Sequence, residues 1–308
     1  MNNQEQMFDG FLETLDKEAT RRALDELFEL SRQYRTGKEY FDLLKFISRF
    51  KSYSIFNALL VHIQMPGATY IAPAFRWKRD YRRRIRLGAR PLVILKPMGP
   101  VMFVFDVSDT EPEINAPSLP SEITEPFAIK QGFIAGELDQ LIDSAKRDGI
   151  KVTDQDAGSL KAGSIEKLEA GQTIELVTRR SPKLETQSVP LRYGVLLNAK
   201  QSKETRFASL AHELGHLYCG HLGSPNEKWW PNRTNLTHNV QELEAESVCF
   251  LVCQRLGIEN PSEKYLSNYV KENTDIEKMS LDSVIKAATL IEQMAKQKMT
   301  LRKLDSIQ

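Results

Sequence analysis

The chain of 308 residues carries 42 Lys and Arg against 41 Asp and Glu, a formal net charge of +1, with 41% hydrophobic and 27% charged residues. These proportions exclude a disordered or fibrous chain, and the length admits one large domain or two of ordinary size, each with a core. The first ten residues lack the basic-then-apolar order of an export signal and no run of about 18 apolar residues follows, which predicts a cytoplasmic protein with no membrane partner. Cys219, Cys249 and Cys253 are then reduced thiols rather than a disulfide framework.

Residues 16–35 show helical spacing through Leu24, Leu27 and Phe28. From Phe41 to Ile63 apolar residues recur at three- and four-residue steps, a run divided into two helices near Ser52–Phe56 and stopped by Pro66-Gly67. "RPLVILKPMGPVMFVFDVSDTE" supplies two apolar runs split by Pro97 to Pro100, which predicts a hairpin or adjacent strands and completes a small α+β unit. Glu111 to Pro126 holds four prolines in sixteen residues without periodicity and reads as a linker, so the domains are taken as 1–118 and 119–308.

Beyond it, "ELDQLIDSAKRDG" predicts a helix ending at Gly149, and strand signals follow weakly at Ile150–Val152 and Ile174–Val177 and more strongly at Tyr193–Ala199. The last of these leads into a helix carrying "HELGH", and further helices are predicted over about Asn239–Leu256 and Leu281–Gln297. The fold class is α+β.

The charge is unevenly placed. Arg76 to Arg90 carries eight Lys or Arg against one Asp. Lys78, Arg79, Arg82, Arg83, Arg84 and Arg86 could neutralise phosphates there, and aromatic rings including Trp77 could stack on unpaired bases, which makes single-stranded DNA a candidate partner. A solvated basic hairpin is the plainer reading of the same residues.

The second cluster is chemical. In a helix His212 and His216, four residues apart, lie on one face and can offer ring nitrogens to one ion, while Glu213 beside them is placed to act on a water as the catalytic base. A catalytic Zn2+ needs a third protein ligand and an open fourth position. On the downstream helix Glu242 and Glu246 share a side with Ala245, Cys249 and Cys253, and Glu244 points the other way. Glu242 is taken as the third ligand with Glu246 accepting a histidine N–H; the reverse assignment stays open. Cys249 and Cys253 are expected to be core thiols. The longer HExxHxxGxxH pattern fails at Cys219 and Leu222, leaving His221 structural or exposed, while His238 and Tyr218 are candidates to meet a developing oxyanion. The strand Tyr193–Ala199, were it an edge, could pair with an extended substrate. Trp229 and Trp230 could line a pocket or plug the core.

"FNALLVHIQMPGATYIAPAFRWKRD", "GPVMFVFDVSDTE", "RFASLAHELGHLYCGH" and "ELEAESVCFLVCQRLGI" together make the chain similar to the ArdC-like antirestriction proteins and, in its second half, to the broader ImmA/IrrE-like metallopeptidases. The resemblance implies a single-stranded-DNA-binding module followed by a gluzincin-like domain with His212 and His216 as ligands, Glu213 as base and Glu242 or Glu246 as acidic ligand. One departure stands out: "YRRRIRLGARP" lacks the Gly-Lys turn usual in such relatives. The expected function is a zinc-dependent endopeptidase acting on a protein or peptide substrate, with an antirestriction-type DNA-binding role independent of proteolysis as the alternative.

Overall fold

The computed structural model describes residues 37–96, 99–120, 135–156, 163–179, 183–258, 262, 266 and 279–302. The helix predicted over 16–35 lies outside them, as does the linker from residue 121 on. Helices and sheets are mixed, α+β. Two compact units form: one from the described residues of Ser52–Ala128, the other from those of Thr36–Lys51 together with Ile129–Gln308. The units therefore interleave along the chain rather than meeting at one cut between residues 118 and 119.

The first unit begins with α2, Ile55–Gln64, capped by the Ser54 hydroxyl, which accepts from the Asn57 N–H. Its sheet has the order β1 (Ile71–Ala72), β4 (Gly99–Asp106), β3 (Leu92–Lys96), antiparallel throughout. The outer edge of β3 is closed by side chains. Asn57 donates to the Leu95 carbonyl and accepts from its N–H, both at 2.9 Å, and Gln64 does the same to Val93 at 2.8 and 2.9 Å. Two helical amides thus stand in for the missing strand, covering an edge that would otherwise invite pairing. Helix α3, Ala74–Tyr81, starts behind Pro73 and leads into the small pair β2 (Arg83–Ile85) and β5 (Thr110–Pro112).

In the second unit α4 (Glu137–Arg147) precedes a three-stranded sheet of order β6 (Ile150–Gln155), β10 (Tyr193–Asn198), β7 (Gly163–Lys167). Strand β10 runs parallel to β6 and antiparallel to β7. Tyr193–Asn198 is consequently central, with neighbours on both sides, and the edge nearest the HELGH helix belongs to β7. Strands β8 (Thr173–Arg179) and β9 (Glu185–Pro190) form a separate hairpin. Helices α5 (Lys203–Tyr218), α6 (His238–Leu256) and α7 (Leu281–Lys296) complete the unit.

Helix α6 is buried nearly all round, through Val240, Leu243, Ala245, Val248, Phe250, Leu251 and Val252. Helix α1 (Gly37–Arg49) joins this core: Phe41 meets Phe250 at 5.7 Å between centroids, and Arg255 donates to the Ile47 and Phe50 carbonyls at 3.2 and 3.0 Å while pairing with Glu292 at 3.0 Å. Those contacts satisfy the open carbonyls at the end of α1 and are the reason it belongs here.

Helices α5 and α6 touch through Gly215. A Cβ at that position would stand 3.2 Å from both Cα and O of Ala245 and 3.3 Å from Cβ of Val248. Gly215→Ala should force the helices apart and cost about 1–3 kcal/mol as overpacking, read as a lowered urea midpoint at unchanged m-value. An unchanged midpoint would refute the close approach.

Candidate metal centre

The Ser202 hydroxyl accepts from the Thr205 N–H and starts α5, so that His212 and His216 fall one turn apart on the face turned to α6. Their Nε2 atoms are 3.2 Å apart. The Glu242 carboxylate reaches both, Oε2 lying 3.6 Å from His212 Nε2 and Oε1 3.3 Å from His216 Nε2. Three ligands of a tetrahedral ion at bonds of about 2.0–2.1 Å stand roughly 3.3 Å from one another, so these three residues have the spacing such an ion requires. His212 and His216 remain partly open to solvent.

Protons are ordered from behind. His221 Nε2 lies 2.9 Å from Glu244 Oε2, an acceptor, and therefore carries the hydrogen. Burial holds the pKa of His221 below its ordinary value, so the ring is neutral and its Nδ1 is a lone pair. His216 Nδ1, 3.0 Å from that lone pair, is therefore the donor of the two, and its Nε2 faces Glu242. On His212 the Glu246 carboxylate stands 3.5 Å from Nδ1 and draws the proton to that side. Burial, helped by the neighbouring His216, pushes the His212 pKa down to about 4, so the ring is neutral at pH 7. Two imidazole nitrogens and a carboxylate thus converge on one point, a set of ligand atoms that suits a cation.

Glu246 accepts from the Ser262 hydroxyl on its other oxygen. Glu242 and Glu246 thus meet opposite nitrogens of His212, as the helical spacing of four residues dictates. Glu213 turns toward the sheet: a Cβ on Gly163, the first residue of β7, would come within 3.3 Å of its Oε1. His238, at the first turn of α6, has Nδ1 3.6 Å from Glu242 Oε1 and is 81% exposed.

One residue of the centre, Glu244, escapes sequence reasoning, and for a second, His221, the structure selects the structural reading. Glu244, read as pointing away from the core, is fully buried, where Arg233 binds both its oxygens at 2.6 and 2.7 Å and the Ser280 N–H donates at 2.7 Å. Burial opposes its charge, but His221, Arg233 and Ser280 outweigh it and hold the carboxyl below the usual range. His221 is buried as well and backs His216. Cys219, His221 and Glu244 also bring ligand atoms together, but Arg233 already supplies the cation for that cluster.

Tyr218 is corrected as an oxyanion partner: its buried hydroxyl donates to Asp148 Oδ2 at 2.9 Å. Trp230 is buried with its indole N–H on the Gly223 carbonyl at 2.9 Å, whereas Trp229 lies half-buried among arginines. The Cys249 and Cys253 sulfurs sit 4.0 Å apart in the core, and the Cys253 neighbour and burial raise the Cys249 thiol pKa, which keeps that thiol unreactive.

In the first unit Lys78, Arg79, Arg82, Arg84 and Arg86 are exposed. Arg79 pairs with Asp80 at 2.6 Å and Arg84 with Glu111 at 2.7 Å. Arg83 turns inward, Nε donating to the Thr110 hydroxyl at 2.7 Å and Nη2 to its carbonyl at 3.0 Å. Trp77 requires correction as a DNA contact. Its ring is 0% exposed and its N–H is spent on the Phe105 carbonyl, so it anchors α3 to β4 and cannot stack on a base.

A mixed sheet beside a helix pair that joins two histidines to a glutamate defines a metallopeptidase-like domain. Residues 171–254, from β8 into α6, match the model of the family Peptidase_M78, described as the IrrE N-terminal-like domain. Solved structures similar to the chain include the antirestriction protein ArdC from R388 plasmid in a metal-free form, at 14% identity and a TM-score of 0.33, and in a Mn(II)-bound form, at 15% and 0.35. Each alignment covers 79% of this chain and 83% of that one. No curated protein matches the chain. Among the described residues no helix is long and apolar enough to cross a membrane.

Proposed function

We propose that the chain is a zinc-dependent endopeptidase in which Glu213 is the catalytic base and His212, His216 and Glu242 hold the ion, with Glu246 orienting His212. The observation that carries this reading is the convergence of two imidazole nitrogens and a carboxylate at 3.2 to 3.6 Å on one point. A bound zinc ion would supply Lewis acidity, polarising the scissile carbonyl and acidifying water. Glu213 takes the proton of the attacking water and passes it to the departing amine. The outer edge of β7 begins beside Glu213, where an extended peptide can add as a further strand and bring a carbonyl to the centre.

Elemental analysis of purified protein should give one zinc per chain, lost in His212→Ala. Cleavage of fluorescent casein should fall about 10²- to 10⁴-fold in Glu213→Gln while the zinc is retained. Absence of stoichiometric metal, or cleavage unchanged by Glu213→Gln, would end the proposal.

A second reading rests on the exposed Lys78, Arg79, Arg82, Arg84 and Arg86: this unit binds single-stranded DNA through phosphates, a role that can protect DNA without proteolysis. Titration with an oligothymidylate should show affinity that falls as salt rises and drops further in an Arg82→Glu, Arg84→Glu, Arg86→Glu variant. Salt-insensitive binding, or none, argues against it.

A further inference from the structure

The second unit holds a cavity of about 340 Å³ lined by Arg147 and Asp148 at the end of α4, Gln187 to Pro190 of β9, Arg192, Trp229 and Arg302. None of these residues takes part in the metal centre. Asp148, its one acid, is already answered twice, by the Tyr218 hydroxyl and by Arg302 Nε, each at 2.9 Å. Arg302 is thereby neutralised. Arg147 and Arg192 are not: no carboxylate among the described residues pairs with either, the Arg147 Nε is buried with no hydrogen-bond acceptor, and Arg192 reaches only the Pro190 carbonyl at 3.5 Å. Two guanidinium groups from different elements therefore line one cavity in excess of its acid. Trp229 braces the cluster, with the guanidinium carbons of Arg192 and Arg302 at 6.0 and 5.6 Å from its ring centroid.

The geometry points to a binding site for a phosphate group, free or as a small phosphomonoester. Two unneutralised guanidiniums match a dianion better than a carboxylate, and each offers the planar fork that binds phosphate oxygens in pairs. An entering oxyanion would supply the acceptor that the buried Arg147 Nε lacks. The cavity lies at the small end of ligand sites, roughly 300–1,000 Å³, so a nucleoside monophosphate is near the upper limit of what it takes.

Isothermal titration calorimetry on the full chain tests this with inorganic phosphate, dAMP and acetate as separate probes. Saturable binding of phosphate or dAMP is expected, with dAMP alone binding if the ester is needed. Affinity should fall at least tenfold in Arg192→Gln, a partly exposed position that tolerates the change, and in Arg147→Gln. An Arg82→Gln, Arg84→Gln, Arg86→Gln variant should bind as the parent does, which separates this site from the basic face of the first unit. The inference fails if neither phosphate nor dAMP binds, if acetate binds as tightly, or if the Arg192→Gln and Arg147→Gln proteins bind unchanged.

Discussion

Replacing Glu244 by Ala is expected to cost about 3 kcal/mol of stability and to weaken metal binding about 10- to 100-fold. Glu244 is fully enclosed and is the acid that pairs with Arg233, so its loss leaves a guanidinium facing His221 and Cys219. Breaking a buried pair by removing one partner costs about 3–5 kcal/mol, and the lower figure applies because the Arg233 side chain is 18% exposed and can turn partly to water. The metal effect has a separate cause. Without a carboxylate at Nε2, His221 is free to carry its proton on Nδ1, His216 then accepts at Nδ1, and its own proton moves to the Nε2 that faces Glu242. Glu244→Gln keeps the volume and can still accept from His221 through its amide oxygen, so it should recover part of the metal affinity and little of the stability. Urea unfolding and a competition titration against a zinc indicator measure the two effects independently. A stability change below about 1 kcal/mol together with unaltered zinc affinity would show that the Arg233–Glu244–His221 chain does not organise the centre.

Why Glu244 was illegible in the sequence is itself physical. Helical spacing assigns one face to Glu242 and Glu246 and the opposite face to Glu244, and it treats the opposite face as solvent. Helix α6 has no such face, because α1, α5 and α7 surround it, so the wheel locates the residues but not the outside. His212 and His216, by contrast, need only the four-residue repeat of one helix, whereas His221 stays between a structural and an exposed reading because its place depends on a left-handed turn after that helix. Strands β7 and β9 lack apolar alternation and are mostly exposed or only partly buried, so their sequences read as loop; once β7 pairs with Tyr193–Leu197 the latter becomes central. Trp77 illustrates the converse error. Its neighbours are basic, but position 77 of α3 faces Ala72 and Phe105, and an aromatic ring in a cationic stretch belongs to whichever face the helix turns inward.

Gly220→Ala is expected to destabilise the protein by about 2–4 kcal/mol and to loosen the same centre from its other side. Gly220 has φ +89°, and an added Cβ would clash with the Pro231 carbonyl oxygen, a backbone atom that cannot rotate away. The left-handed conformation alone costs an L-residue roughly 1–2 kcal/mol, and forcing the Pro231 segment outward adds about 1–3; the reduced freedom of the unfolded chain returns less than 1. The displaced segment is the one that delivers Arg233, whose N–H donates to the Gly220 carbonyl at 2.9 Å, and the turn at Gly220 is what returns His221 beneath His216, its N–H on the His216 carbonyl at 3.0 Å. One methyl group therefore acts on both members of the chain behind His216 without touching a ligand. Zinc affinity in Gly220→Ala should fall together with the urea midpoint, and adding Glu244→Gln should lower affinity by less than the product of the single effects, since both act through His221. Full additivity of the two substitutions would mean that the turn and the buried carboxylate serve the fold separately and that the ordering of the His216 proton has another source.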